Sequence, residues 1–319
     1  MSEEIRLDWP EPPARLLGAL ARTPSVAVIP HVLPDVDALA SAEALCRVLR
    51  AAGHEAWAHV PELPEIYAWA LDASLRREGA PEPGTLRLAV DTARPDRLQI
   101  PGPVHLNVDH HEDNPGFGEV AWIITTPSCS CLSAPLAQAL EVPVRGPLAT
   151  AIFRGLLADT EGFRIEEGAQ AFAWGAWLAA RGADLVGSAE AFARRSPSFW
   201  SYLAEVQSAA THMVGVVPLL LVPVPKDLAA RHALLPYEHA LLPSHLSPPP
   251  GGVLAILQEG PRGVRFRLRS RGVDLLPLAH ALGGGGHPQA AGVQLAGADL
   301  ATARQQLLEA WQRCQGALS

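Results

Sequence analysis

Short apolar, β-rich runs alternate with stretches of helical period through the first half of the chain, the succession that an open α/β sheet requires. Ser25 to Pro30 (SVAVIP) predicts a buried strand, and residues 37–53 (DALASAEALCRVLRAAG) put apolar side chains at helical spacing with Gly53 as a stop. Further strand-like runs cover Glu55 to Val60, Thr85 to Val90, Val104 to Val108 and Val120 to Thr125, and Ala149 to Ala158 reads as a helix running up to Asp159. From about Glu166 to Ala210 the pattern is helical. After Thr211 it changes to strand-like runs at 213–224, 253–259 and 264–270, separated by proline-rich turns such as SPPPGG from Ser247 to Gly252. A last helix is predicted from Leu300 to about Arg313, and no repeat of solenoid spacing is present.

These elements predict an α/β architecture in two parts. An open, mostly parallel sheet flanked by helices occupies residues 1–185, a helical linker 186–211, and a smaller mixed α/β domain 212–319. A length of 319 residues favours two cores over one. With 48% hydrophobic and 18% charged residues, the composition can fill both.

Charge narrows the function classes. A formal net charge of −8 is wrong for a protein that grips long nucleic acid by its phosphates, so any nucleic-acid partner is expected to be short and no long duplex is expected. The amino terminus is acidic and proline-containing, unlike a leader. Met213 to Pro225, broken by Pro218 and Pro223, is too short for a membrane span. A soluble, cytoplasmic chain that engages no membrane is expected, and a homodimer is compatible with it. Cys46, Cys129, Cys131 and Cys314 show neither zinc-type spacing nor disulfide density and read as reduced thiols.

Four polar clusters fall where strands end: His31, Asp35 and Asp37; Asp91; Asp109, His110 and His111; and Asp159 at the end of a helix. A single strand-end aspartate is more often a helix cap or turn former, and Asp35 and Asp37 suit a helix amino terminus. Together they resist that account. In an open α/β sheet such ends converge, and gathered carboxylates would repel one another and raise each other's pKa. Divalent cations relieve this, and mixed carboxylate and imidazole donors suit Mn2+, with Mg2+ as an alternative.

The same residues resemble the DHH family of phosphoesterases. HVLPDVDALAS resembles the family's first motif, His-x-x-Pro-Asp-x-Asp-Ala; Val90 to Thr92 the second; Asn107 to His111 (NVDHH) the signature; and LLADTEGF from Leu156 to Phe163 the fourth, all in the family's order. The resemblance implies two metal ions per chain, one held by His31, Asp35 and Asp91, the other by Asp37, Asp91, His110 and Asp159. Asp91 would bridge both in a two-metal hydrolytic site. His111 would contact the scissile phosphate or protonate the leaving oxygen, and Asp109 would orient its neighbours. The family commonly has glycine where Val36 stands, and a valine tolerates positive φ poorly.

The carboxyl half has its own signature, Gly283-Gly284-Gly285-Gly286-His287, whose bare backbone N–H groups can cradle an anion. This run resembles the GGGH motif of the DHHA1 domain, and Arg269-Ser270-Arg271 its Arg-Ser-Arg stretch. The resemblance implies that Arg269, Ser270, Arg271, Gly284, Gly285, Gly286 and His287 hold the substrate's phosphate or terminal nucleotide across an interdomain cleft, with guanidinium forks on phosphate oxygens. RecJ-like nucleases are longer, and the family's membrane-tethered phosphodiesterases carry spans not seen here. The stand-alone, nanoRNase/pAp phosphatase-like branch is therefore the expectation: an enzyme that degrades short RNA or DNA oligonucleotides 3′→5′ to mononucleotides and dephosphorylates 3′-phosphoadenosine 5′-phosphate (pAp). Cyclic- or linear-dinucleotide phosphodiesterases are the alternative, and a catalytically silent nucleotide-binding module the reading of another class.

Overall fold

The computed structural model describes residues 7, 9–98, 100–164, 168–235 and 237–318. Residues 1–6, read above as unlike a leader, and Glu166, where the predicted helical stretch begins, lie outside the described residues. The chain divides into two compact units, Met1–Arg194 and Arg195–Ser319.

In the first unit the elements run α1 (Ala14–Ala21), β1 (Ser25–Ile29), α2 (Val36–Ala51), β2 (Glu55–His59), β3 (Arg76–Arg77), β4 (Leu86–Val90), β5 (Leu106–Asp109), β6 (Val120–Ile123), α3 (Ser133–Ala139), α4 (Pro147–Asp159), α5 (Gly168–Ala179) and α6 (Leu185–Ala193). Six strands form one sheet in the order β3-β2-β1-β4-β5-β6, and every pairing is parallel. Strand order reverses between β1 and β4, and in such sheets the crevice beyond that point is where ligands bind.

Strand β1 shows why the sheet is buried on both sides. Successive side chains of a strand point to opposite faces. Val26 and Val28 join the main core with α2 and α4, whereas Ala27 and Ile29 face the other way with Trp57, packed by Leu98 and Ile100. Helix α2 starts at Asp35, whose carboxylate accepts the Ala38 amide at 3.1 Å, the capping geometry its sequence predicts. Val36 opens that helix, is buried and has no positive φ. The strained residue of this loop is Leu33 instead, at φ 53°, so valine after Asp35 costs the fold nothing.

The second unit contains α7 (Pro197–Ser208), β7 (Thr211–Met213), β8 (Leu219–Val224), α8 (Leu228–Arg231), β9 (Val253–Gly260), β10 (Gly263–Ser270), α9 (Leu276–Ala281), β11 (Gly285–His287), β12 (Ala290–Ala296) and α10 (Leu300–Cys314). Its mixed sheet has the order β11-β12-β10-β9-β8-β7, with only β8 and β9 parallel. One face packs Leu219, Phe266 and Leu268 against Leu307 and Trp311 of α10, and the other packs Val222 and Ile256 against Phe199 and Tyr202 of α7.

Three predicted elements take a different form. The apolar run 213–224 splits, because a loop separates β7 from β8. The helical stretch resolves into α5, α6 and α7, of which α6 closes the first unit and α7 opens the second. The glycine run does not enter a helix: it leaves α9 and becomes the edge strand β11, paired antiparallel with β12. A side chain at Gly284 or Gly286 would collide with the backbone of Gly292 or Ala290, and Gly286 has φ 139°, so this close pairing requires glycine. Among the described residues no helix is long and apolar enough to cross a membrane.

Candidate metal centre

The carboxyl ends of β1, β4 and β5 and the carboxyl end of α4 deliver His31, Asp91, His110 and Asp159 to one place, and the amino terminus of α2 adds Asp35 and Asp37. The groups His31, Asp35 and Asp91; Asp37, His110 and Asp159; and Asp91, His110 and His111 each bring their donor atoms within 4.8 Å of one another. Asp91 belongs to the first and third. His110 Nε2 lies 3.9 Å from Asp37 Oδ2, 3.6 Å from Asp91 Oδ1 and 3.2 Å from Asp159 Oδ2, and His31 Nε2 lies 3.7 Å from Asp35 Oδ2.

Each carboxylate has a different environment. Asp37, 1% exposed, sits in a cradle of donors: the Cys129 amide reaches Oδ2 at 2.7 Å, and Ser128 Oγ, the Ser130 amide and Ser41 Oγ reach Oδ1 at 3.0, 3.2 and 3.2 Å. Asp91 is also buried, yet its Oδ1 has no hydrogen-bond partner, and its backbone sits at φ 54°. Strained, unsatisfied positions of this kind concentrate at functional sites. Burial, and then the charges of Asp37 and Asp35, push the Asp91 carboxyl well above the usual carboxylate range. Burial, then Asp37 and Asp91, do the same to Asp159.

The histidines fit a cation. His110 Nδ1 lies 3.0 Å from the Thr126 carbonyl, so the ring donates there and turns the lone pair of Nε2 toward the carboxylates. His31 Nδ1 lies 2.9 Å from the Val32 carbonyl, with the same consequence. An imidazole lone pair facing carboxylates, beside a buried carboxylate oxygen without a donor, is a donor set with its counter-charge missing, and divalent ions match it.

Asp109, fully buried, accepts from His111 Nδ1 and the His110 amide at Oδ1, both at 2.8 Å, and from Asn114 Nδ2 at Oδ2, 2.6 Å away. It fixes the His111 ring and the His110 backbone. Donating its Nδ1–H to the Asp109 carboxylate raises the pKa of His111, which is itself exposed. Cys129 and Cys131 are buried free thiols beneath this floor, pushed far up in pKa by burial.

Five residues here escape sequence reasoning. Ser128, Ser130 and Asn114 act only through contacts made by the fold; Arg97 places Nη2 3.0 Å from His31 Nδ1. Gly155 lies in the middle of α4, where a Cβ would collide with Asp37 Oδ1 and Ser130 Oγ. None carries a local sequence signal.

In the second unit, Ser270 is buried and its hydroxyl donates to the Val273 carbonyl at 2.5 Å, closing the turn after β10. Arg269 Nη1 donates to the Leu268 carbonyl at 3.0 Å. Arg271 and His287 are exposed, and Gly284 to Gly286 line the edge of the sheet.

A parallel sheet whose switch point gathers carboxylates and imidazoles defines the class of a metal-using α/β hydrolase. A DHHA1 domain model matches residues 248–314. The bifunctional oligoribonuclease and PAP phosphatase NrnA of Thermus thermophilus is 31% identical over 296 residues, covering 88% of this chain and 87% of that protein. The cyclic-di-AMP phosphodiesterase GdpP of Geobacillus thermodenitrificans is 26% identical over 91% of this chain, which spans only 48% of that protein. An exopolyphosphatase-related protein from Bacteroides fragilis shares the fold with a TM-score of 0.77, at 18% identity and coverage of 95% and 96% of the two chains. The chain belongs to the DHH family of phosphoesterases, metal-dependent hydrolases of phosphate ester bonds, and carries the DHHA1 domain.

Two predictions come from this geometry. Gly155→Ala adds a methyl group against Asp37, an overpacking cost of about 1–3 kcal/mol. A lowered melting temperature together with weakened Mn2+ binding is expected, and isothermal titration calorimetry checks the latter.

The second concerns pH. A carboxyl whose pKa is raised on folding holds its proton more tightly than in the unfolded chain, so without ions stability falls as pH rises from about 4 through the raised value. Asp91→Asn removes that loss. In chelator at pH 7 the variant should melt on the order of 2–4 °C above wild type, which corresponds to about 1 kcal/mol. The gap should close toward pH 4, and wild type alone should be stabilised by Mn2+.

Proposed function

We propose that this chain degrades short oligonucleotides from the 3′ end to mononucleotides and removes the 3′-phosphate of pAp. The observation that carries the reading is the near end-to-end match to a bifunctional oligoribonuclease and PAP phosphatase, in a chain that gathers His31, Asp35, Asp37, Asp91, His110 and Asp159 into overlapping donor groups. The net charge of −8 fits a small substrate drawn by ions and a few arginines, not a long duplex held in a basic groove.

The residues proposed to hold two Mn2+ ions, with Mg2+ as the alternative, are His31, Asp35 and Asp91 for one and Asp37, Asp91, His110 and Asp159 for the other. Such ions, when bound, polarise phosphoryl oxygens and make a water nucleophilic at neutral pH. The protein's own part is placement and proton handling. Asp37, fixed by its donor cradle, and His110, fixed by the Thr126 carbonyl, set the donor positions in advance. Asp109 holds His111 through Nδ1 and favours its protonated form, leaving Nε2 free to give a proton to the departing ribose oxygen as the P–O bond breaks. Arg271 and the backbone of the glycine edge strand hold the substrate's phosphate or terminal nucleotide.

A substrate panel tests the reading. With Mn2+, dinucleotides, five-residue oligomers and pAp should be hydrolysed, and Asp91→Ala should reduce turnover by at least about 10³-fold, the scale expected for a group acting directly on the reaction. Exclusive hydrolysis of cyclic di-AMP would instead assign the activity named for the second relative, and nucleotide binding without turnover would make the chain a binding module. Arg271→Ala should raise KM about tenfold or more with kcat little changed, as loss of uniform binding requires. Steady-state kinetics on pAp separates the two constants.

A further inference from the structure

Arg97 closes the short 3-10 turn Pro95–Arg97 that follows β4. Its carbonyl accepts the Val32 amide at 2.7 Å, so the loop of the first motif pins its backbone. Its side chain is exposed, and its positive charge bears on both Asp35 and Asp91.

The guanidinium makes a contact that the loaded site cannot keep. Arg97 Nη2 lies 3.0 Å from His31 Nδ1, and the Val32 carbonyl lies 2.9 Å from the same nitrogen. The N–H of arginine needs a lone pair on Nδ1, whereas the carbonyl needs a proton there, and one ring nitrogen cannot offer both. When His31 gives the lone pair of Nε2 to a cation, the proton belongs on Nδ1 and points to the Val32 carbonyl. Arg97 has then lost its acceptor. An unused guanidinium N–H beside a carboxylate-lined cation site suits one kind of group, the anionic oxygen of a phosphate brought to that cation.

We propose that Arg97 is a substrate-binding residue whose guanidinium takes a non-bridging oxygen of the scissile phosphate beside His31, Asp35 and Asp91. This rests on the proposed phosphoesterase reading and adds a residue to it. Tethering by the Val32 amide puts the fork where the phosphate arrives, and the planar donors set its orientation.

The test uses the full chain with Arg97→Ala and Arg97→Lys, and two binding readouts besides activity. One is Mn2+ binding by titration calorimetry. The other is the affinity of the Mn2+-saturated protein for a dinucleotide with a hydrolysis-resistant phosphorothioate linkage and for its uncharged methylphosphonate counterpart. Expected for Arg97→Ala are Mn2+ affinity within about twofold of wild type and phosphorothioate affinity down about 10–100-fold, the scale of one charged hydrogen bond. The preference for the anionic linkage should shrink by a similar factor, and Arg97→Lys should recover part of it. Weakened Mn2+ binding with unchanged dinucleotide affinity at saturating Mn2+ would overturn the proposal and leave Arg97 as a prop for His31. Failure of wild type itself to bind Mn2+ or cleave any dinucleotide would instead bring down the underlying reading.

Discussion

Three buried or half-buried carboxylates, Asp37, Asp91 and Asp159, stand within reach of one imidazole nitrogen, and their mutual repulsion is the constraint on which the first unit turns. Water cannot screen charges at this depth, so the cost must be met by protons or by cations. Against it the fold sets the exposed Arg97, whose charge acts on Asp91 less than burial and the neighbouring carboxylates do. The fold also supplies imidazole lone pairs, which worsen the conflict until an ion arrives. The repulsion that destabilises these carboxylates is what favours a cation among them.

The topology explains why the groups meet. A reversal of strand order between β1 and β4 opens a crevice at their carboxyl ends, and both strands end in candidate ligands, His31 and Asp91. Strand β5 adds Asp109 and the two histidines next door. Helices α2 and α4, packed on the same sheet face, bring Asp37 and Asp159 from opposite helix ends. Gly155 lets α4 come close enough for Ser130 to hold Asp37 without a clash. Packing density and site geometry are thus one problem, solved by a missing methyl group.

Much of this was readable in the chain before any fold. Runs such as SVAVIP announce a strand buried on both faces, and a polar cluster directly after each run places chemistry at strand ends, so the six candidate donors stood out together. Ser128 and Ser130 did not, because their partner Asp37 lies elsewhere in the chain: Ser128 reaches it across 91 residues. The glycine run takes a local form other than the one expected of it. Four glycines suit an anion-binding loop, but Gly285 and Gly286 pair with Gly292 and Ala291 in a tight hairpin, so the run forms an edge strand and does not enter a helix. Val36 was flagged from a family habit, and helix geometry removes the concern, since the first residue of a capped helix has ordinary φ.

Asp37 and Asp91 show how one site divides structural and chemical duty between identical side chains. Asp37 accepts four donors from Ser41, Ser128, Cys129 and Ser130, so its charge is satisfied whether or not an ion is present, and its position is set by folding alone. Asp91 has a left-handed backbone and an oxygen with no donor, so its charge is satisfied only by what binds. A residue that the fold has already satisfied gains little from an ion, whereas one left unsatisfied gains the most. The affinity for cations should therefore reside chiefly at Asp91, among the described residues the one carboxylate shared between neighbouring donor groups, and its strain is the local cost of keeping that position open.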